Sequence, residues 1–170
     1  MKAKNLLAMA LVLLSAAVSA AEVNLIRNPD FEASGKNWIF SKGTSFENKI
    51  AAVPLNVQRK NKKDSYGSIY QLLPVKPGKY RFFGYYQGDI NNLFIVVRIY
   101  LADRKKADII QKWLGKADFV KADDLPGWYC FSYQTVIPDN ASRVSVHIEP
   151  WGTNGNIMRL TRVKLAEETK

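Results

Sequence analysis

The chain has 170 residues, of which 47 % are hydrophobic and 12 % aromatic, and a net charge of +10. That composition excludes a disordered chain, and the length suits one compact domain with its own core. One cysteine and one histidine exclude an internal disulfide and a zinc site of three or four nitrogen and sulfur ligands.

Residues 1–20 read as a signal peptide. Lys2 and Lys4 supply the positive start, residues 6–17 an apolar run too short to span a bilayer comfortably, and Val18-Ser19-Ala20 a small-residue cleavage motif. No cysteine follows to carry a lipoprotein anchor, and no later run is long enough to cross a membrane. The expectation is an exported protein, periplasmic or extracellular, with residues 21–170 forming one domain.

From there the chain reads as short strands separated by turns. Residues 23–26 are apolar and stop at Asn28-Pro29-Asp30; residues 38–40 stop at Lys42-Gly43. Residues 58–64 hold Arg59, Lys60, Lys62 and Lys63 and read as a solvated basic loop. Residues 66–75 and 80–87 are strands joined through Lys76-Pro77-Gly78-Lys79. Residues 93–101 alternate, with Leu93, Ile95, Val97, Ile99 and Leu101 on one face and Phe94, Val96, Arg98 and Tyr100 on the other. Residues 107–110 return as a hairpin, and residues 111–127 lack periodicity, with room for one helical turn. Residues 128–137 form a strand that buries the Cys130 thiol. Residues 143–149 alternate Val144, Val146 and Ile148 against Arg143, Ser145, His147 and Glu149. Residues 150–156 read as a loop, and residues 157–165 as the last strand. Many strands without intervening helices predict an all-β, antiparallel jelly-roll β-sandwich.

The segment Asn24-Leu25-Ile26-Arg27-Asn28-Pro29-Asp30-Phe31-Glu32, followed by Gly35 and Trp38, resembles the opening of carbohydrate-binding modules of the CBM4/9 type. The resemblance continues through Tyr70-Gln71, the Pro77-Gly78-Lys79 turn, Trp128, Phe131, Tyr133, Pro138, Ala141-Ser142-Arg143-Val144 and Val163-Lys164-Leu165, and so spans residues 24–165. It implies a galactose-binding-like jelly roll that binds a polysaccharide or oligosaccharide on a concave face. It also implies a structural calcium near the start of the domain, for which Glu32 would be a ligand. Thr161-Arg162 stand where such modules commonly carry two acids, which weakens that implication.

Sugar sites combine aromatic rings with planar polar side chains. Strand parity offers Phe83, Tyr85, Arg98, Tyr100, Gln134, His147 and Glu149 for such a face, with Trp151 on the adjoining loop. Arg98 and Glu149 are also placed to form a cross-strand ion pair. The basic residues 59–63 suit an acidic glycan or an anionic surface. Nucleic acid fits poorly with an exported chain whose excess charge is spread rather than striped. Catalysis lacks a second acid beside Glu149 and a Gly-x-Ser-x-Gly motif, so the chain is expected not to be an enzyme. The alternative to sugar binding is a structural or adhesive domain that keeps the fold alone.

Overall fold

The structure, a computed structural model, describes residues 23–60, 62–102 and 107–168. The signal-peptide reading and the start of the predicted domain therefore lie outside the described residues. Thirteen strands occur in chain order: β1 Ile39–Phe40, β2 Ser45–Glu47, β3 Ile50–Pro54, β4 Val57–Gln58, β5 Ser65–Tyr66, β6 Ile69–Pro74, β7 Gly78–Gln87, β8 Asn92–Leu101, β9 Asp108–Gly115, β10 Val120–Lys121, β11 Tyr129–Ile137, β12 Ala141–Gly152 and β13 Ile157–Glu167. Among the described residues the helical content is one 3-10 turn, Lys116–Asp118.

The strands form the two antiparallel sheets of a jelly-roll sandwich, as the alternation predicts. In one, β12 lies between β6 and β8, with β9 beyond β8, β1 beyond β6, and β5 and β4 at the far end of β12. The other runs β10-β11-β7-β13-β3-β2. Each strand sends alternate residues inward. Ile69 and Leu73, Leu93 to Leu101 at odd positions, and Val144, Val146 and Ile148 face Tyr80, Phe82, Tyr86, Phe131, Ile137, Leu160 and Leu165 across the core. In β13 the inward set changes parity, from Met158 and Leu160 to Val163 and Leu165. A register shift between Thr161 and Lys164 accounts for this, with Arg162 at φ 49°.

Some expectations change. Residues 23–26 form a single bridge, Asn24 to Ala166, rather than a strand. The aperiodic stretch contains most of the eight-residue β9. Trp151 is on β12 and not on a loop. Cys130 is half-buried and paired with Tyr85, on the outward side of β11, because Phe131 takes the core position.

The opening motif builds a strap across the sandwich edge. Asn24 Nδ2 donates to the Val163 carbonyl at 3.1 Å, and its Oδ1 accepts from Ile26 N and Leu165 N, both at 3.0 Å. Trp38 Nε1 donates to the Asn28 carbonyl at 3.0 Å while its ring packs on Phe31. Buried Gln71, which stands at an apolar position of β6, accepts from Arg27 N at 2.8 Å and donates to Arg27 O at 2.9 Å. Gln71→Leu keeps the volume and orphans both Arg27 groups, so unfolding free energy should fall by about 1–3 kcal/mol. Urea denaturation reads the loss, and amide exchange should speed up at Arg27; an unchanged Arg27 amide would contradict this role.

Candidate functional site

The outward face of the β6-β12-β8-β9 sheet carries four cross-strand rungs fixed by register. Tyr66, Trp151 and Asn92 form the first; Glu149, Phe94 and Trp113 the second; Tyr70, His147, Val96 and Gln111 the third; Leu72, Ser145, Arg98 and Ile109 the fourth. Arg143 and Tyr100 pair beyond them, with the Arg143 guanidinium 4.9 Å from the Tyr100 ring. The middle of this face is sunken: Ser145, His147 and Glu149 point outward yet are only 2 %, 6 % and 9 % exposed.

Aromatic rings line one end of this trough without a break. Tyr66 stacks on Trp151 at 4.8 Å, Trp151 lies 6.2 Å from Trp113, and Trp113 meets Phe94 edge-on at 4.1 Å. Trp113 remains 48 % exposed. The Arg59 guanidinium sits 4.8 Å from the Trp151 ring and 5.0 Å from Tyr66. Phe94, Trp113 and Trp151, with Arg59, Lys62, Lys63, Asp64, Asn92 and Glu149, line an open cavity of about 520 Å³, a volume typical of small-ligand sites.

Along β12 the polar side chains form a chain of their own. Ser145 Oγ and His147 Nε2 share a hydrogen bond of 2.8 Å, and Tyr70 stacks on the imidazole at 4.4 Å. Burial, and next the Arg98 charge, lower the His147 pKa to about 4, so the ring is neutral at pH 7. Burial raises the Glu149 carboxyl above the usual range, while Arg59 and Arg98 pull it back. Ser145, His147 and Glu149 follow the order of an acyl-transfer triad, but the geometry departs from one. His147 Nδ1 is 4.0 Å from Glu149 Oε1, beyond hydrogen-bond range, and Ser145 is enclosed.

Of the residues chosen from sequence, Arg98, Tyr100, His147, Glu149 and Trp151 share this face. Phe83, Tyr85 and Gln134 lie on the outward face of the other sheet, because β7 and β11 pair there. They have local partners: Lys164 stands 5.9 Å from the Phe83 ring, Tyr85 donates to Asp124 Oδ2 at 3.2 Å, and Gln134 donates to Glu168 at 2.8 Å. No single small ligand spans both faces. The cross-strand ion pair does not form, since Arg98 is opposite Ser145 and Glu149 opposite Phe94. Arg98 Nε is enclosed with no hydrogen-bond partner.

Sequence reasoning passed over Tyr66, Phe94 and Trp113. The signal for Trp113 was the alternation of Ile109, Gln111 and Trp113 against Ile110 and Leu114, interrupted by Lys112. Glu32, the residue that the resemblance offers to calcium, is ion-paired to Lys49 Nζ at 2.7 Å, and among the described residues no three His, Cys, Asp or Glu side chains are placed to hold a metal ion.

No family model and no curated protein matches the chain. Solved structures resemble it. TmCBM61 in complex with β-1,4-galactotriose is 14 % identical with a TM-score of 0.56, over 86 % of this chain and 100 % of that one. The CBM22-1 xylan-binding domain from Paenibacillus barcinonensis Xyn10C is 10 % identical with a TM-score of 0.55, over 88 % and 98 %. A CBM4 structure is 13 % identical with a TM-score of 0.51, over 86 % and 94 %. At these identities the likeness is one of fold, and the chain has the β-sandwich fold of these carbohydrate-binding modules.

Proposed function

We propose that this chain is an exported, non-catalytic carbohydrate-binding protein whose ligand lies in the trough over β12, β8 and β9. The observation that carries the reading is the half-exposed Trp113 ring at the open end of a continuous aromatic lining. A flat ring on a strand presents its face to the C–H side of a sugar without further ordering, and the polar edges of Asn92, Glu149 and Arg59 suit the hydroxyls. From Phe94 to Tyr100 the strand runs about 20 Å, room for an oligosaccharide passing Val96, His147 and Arg98. In this reading Phe83, Tyr85 and Gln134 are not part of the site. The enclosed Ser145 and the wide His147–Glu149 separation favour binding over catalysis. The signal-peptide motif supports export.

Trp113→Ala should weaken binding at least tenfold, since about 1.5–3 kcal/mol of ring burial is removed. The change is at a half-exposed site on an edge strand, so the fold should persist. Titration calorimetry against a polysaccharide selected on a glycan array reads the loss. Tyr85→Ala, on the other sheet, should bind like wild type. If Tyr85→Ala abolishes binding and Trp113→Ala does not, the site is on the opposite face. If wild type retains no polysaccharide, the structural or adhesive reading replaces this one.

A further inference from the structure

We infer that the trough selects an anionic saccharide, a sugar carrying a carboxylate or sulfate, through the basic wall that Arg59, Lys62 and Lys63 raise beside Trp113; this rests on the sugar-binding reading above. Arg59, Lys62 and Lys63 all line the cavity and are exposed. None has a carboxylate within 4.0 Å among the described residues, unlike Lys49, Arg81, Lys116 and Arg162, which are paired elsewhere on the surface. Arg98 adds a fourth cation to the same face, its Nε enclosed and unpartnered.

The two acids of the cavity do not balance its three cations: Asp64 lines it and accepts from Asn91 Nδ2 at 3.5 Å, while Glu149 is sunk below the rings at 9 % exposure, where burial pushes its carboxyl up toward the neutral form. The trough thus keeps an excess of positive charge in a recess with aromatic walls, where a counter-charge is screened less than on an open surface. Arg59 is 4.8 Å from the Trp151 ring, and Trp151 is 6.2 Å from Trp113, so the guanidinium and the exposed Trp113 ring share one aromatic partner at the same end of the trough. A neutral sugar would give the Lys62 and Lys63 ammoniums no counter-charge, and a polyanion lacking a sugar face would leave Trp113 unused.

The test is titration calorimetry with polygalacturonate, alginate, chondroitin sulfate and dextran sulfate, against neutral β-1,4-galactan and xylan. Three variants are used: Arg59→Ala/Lys62→Ala/Lys63→Ala, Trp113→Ala, and a charge-matched control, Lys36→Ala/Lys42→Ala/Lys79→Ala, at exposed positions away from the trough. At least one acidic polymer should bind wild type tenfold or more tightly than either neutral one. The loop variant and Trp113→Ala should each lose at least tenfold, and the control should bind as wild type does. Preference among the uronate polymers or the sulfated ones assigns the charged group. Equal or tighter binding of a neutral polymer overturns the inference and leaves the sugar site standing. An equal loss in the control, or retention by Trp113→Ala, also overturns it, because either means attraction of a basic protein to any polyanion. If no polymer binds, the sugar-binding reading falls with it.

Discussion

Phe131→Ala should lower the unfolding free energy by about 3–5 kcal/mol, a large part of the 5–15 kcal/mol that domains of this size possess. The ring is 2 % exposed, meets Phe82 edge-on at 5.4 Å and lies 6.4 Å from Tyr86. It also fills the space left by Gly84, its register partner on β7: a Cβ there would come within 2.8 Å of the ring. Gly84→Ala alone should therefore destabilise by overpacking, about 1–3 kcal/mol. In the Phe131→Ala background the same methyl enters a cavity, and most of its cost should vanish. Urea denaturation of both single variants and the double variant measures the coupling. Equal costs of Gly84→Ala in the two backgrounds would show that ring and glycine do not share this space.

Acid should unfold the protein partly through His147. The groups facing this ring are Ser145, Arg98, Glu149 and Tyr70, and burial holds its pKa at about 4 against 6.5 in the unfolded chain. Between those values the unfolded state binds more protons, so the stability is whole above about pH 6.5 and is lost as pH falls toward 4. At about 1.4 kcal/mol per pH unit, the loss reaches about 3 kcal/mol. Glu149 acts in the opposite sense. Its folded pKa is raised by burial, so its contribution is present below 4.5 and is lost as pH rises through the folded value. His147→Gln should flatten the acid limb of a stability-against-pH curve, and Glu149→Gln should raise stability at neutral pH. An acid limb as steep in His147→Gln as in wild type would move the titration to other groups.

The strands legible in the sequence were those whose two faces differ in kind. β8 alternates aliphatic residues with Phe94, Arg98 and Tyr100, and β12 alternates valines with Ser145, His147 and Glu149, so both faces could be assigned before any pairing was known. β9 escaped because Lys112 takes an inward parity between Ile110 and Leu114. An edge strand permits this, since a long side chain there still reaches water. Trp151 was misplaced because Pro150 and Gly152 flank it. Pro150 nonetheless stays in the sheet, its carbonyl accepting from Gly67 N at 3.1 Å. Phe83, Tyr85 and Gln134 were grouped with residues of the other sheet for a different reason. Parity orders residues within a strand but does not say which sheet the strand enters. That choice is made by pairings such as Tyr85 with Cys130, 45 residues apart in sequence.

The strap that Asn24 makes with β13 also sets how the sandwich responds to tension. Leu25 N donates to Leu165 O at 2.8 Å, and Asn24 is bridged antiparallel to Ala166, so the two ends of the domain leave side by side. A pull on both ends opens such a junction as a zipper, loading one hydrogen bond at a time, whereas strands drawn lengthwise past each other would share the load among many. The strap should yield first and at low force, and the Gln71 clasp on Arg27 is the next contact in line before either sheet is strained. Single-molecule pulling through the two ends would then show a short early extension ahead of the main rupture, shifted to still lower force by Gln71→Leu. A protein held to a surface by one end and to its ligand through the trough is spared this mode, because the load then bypasses the zipper.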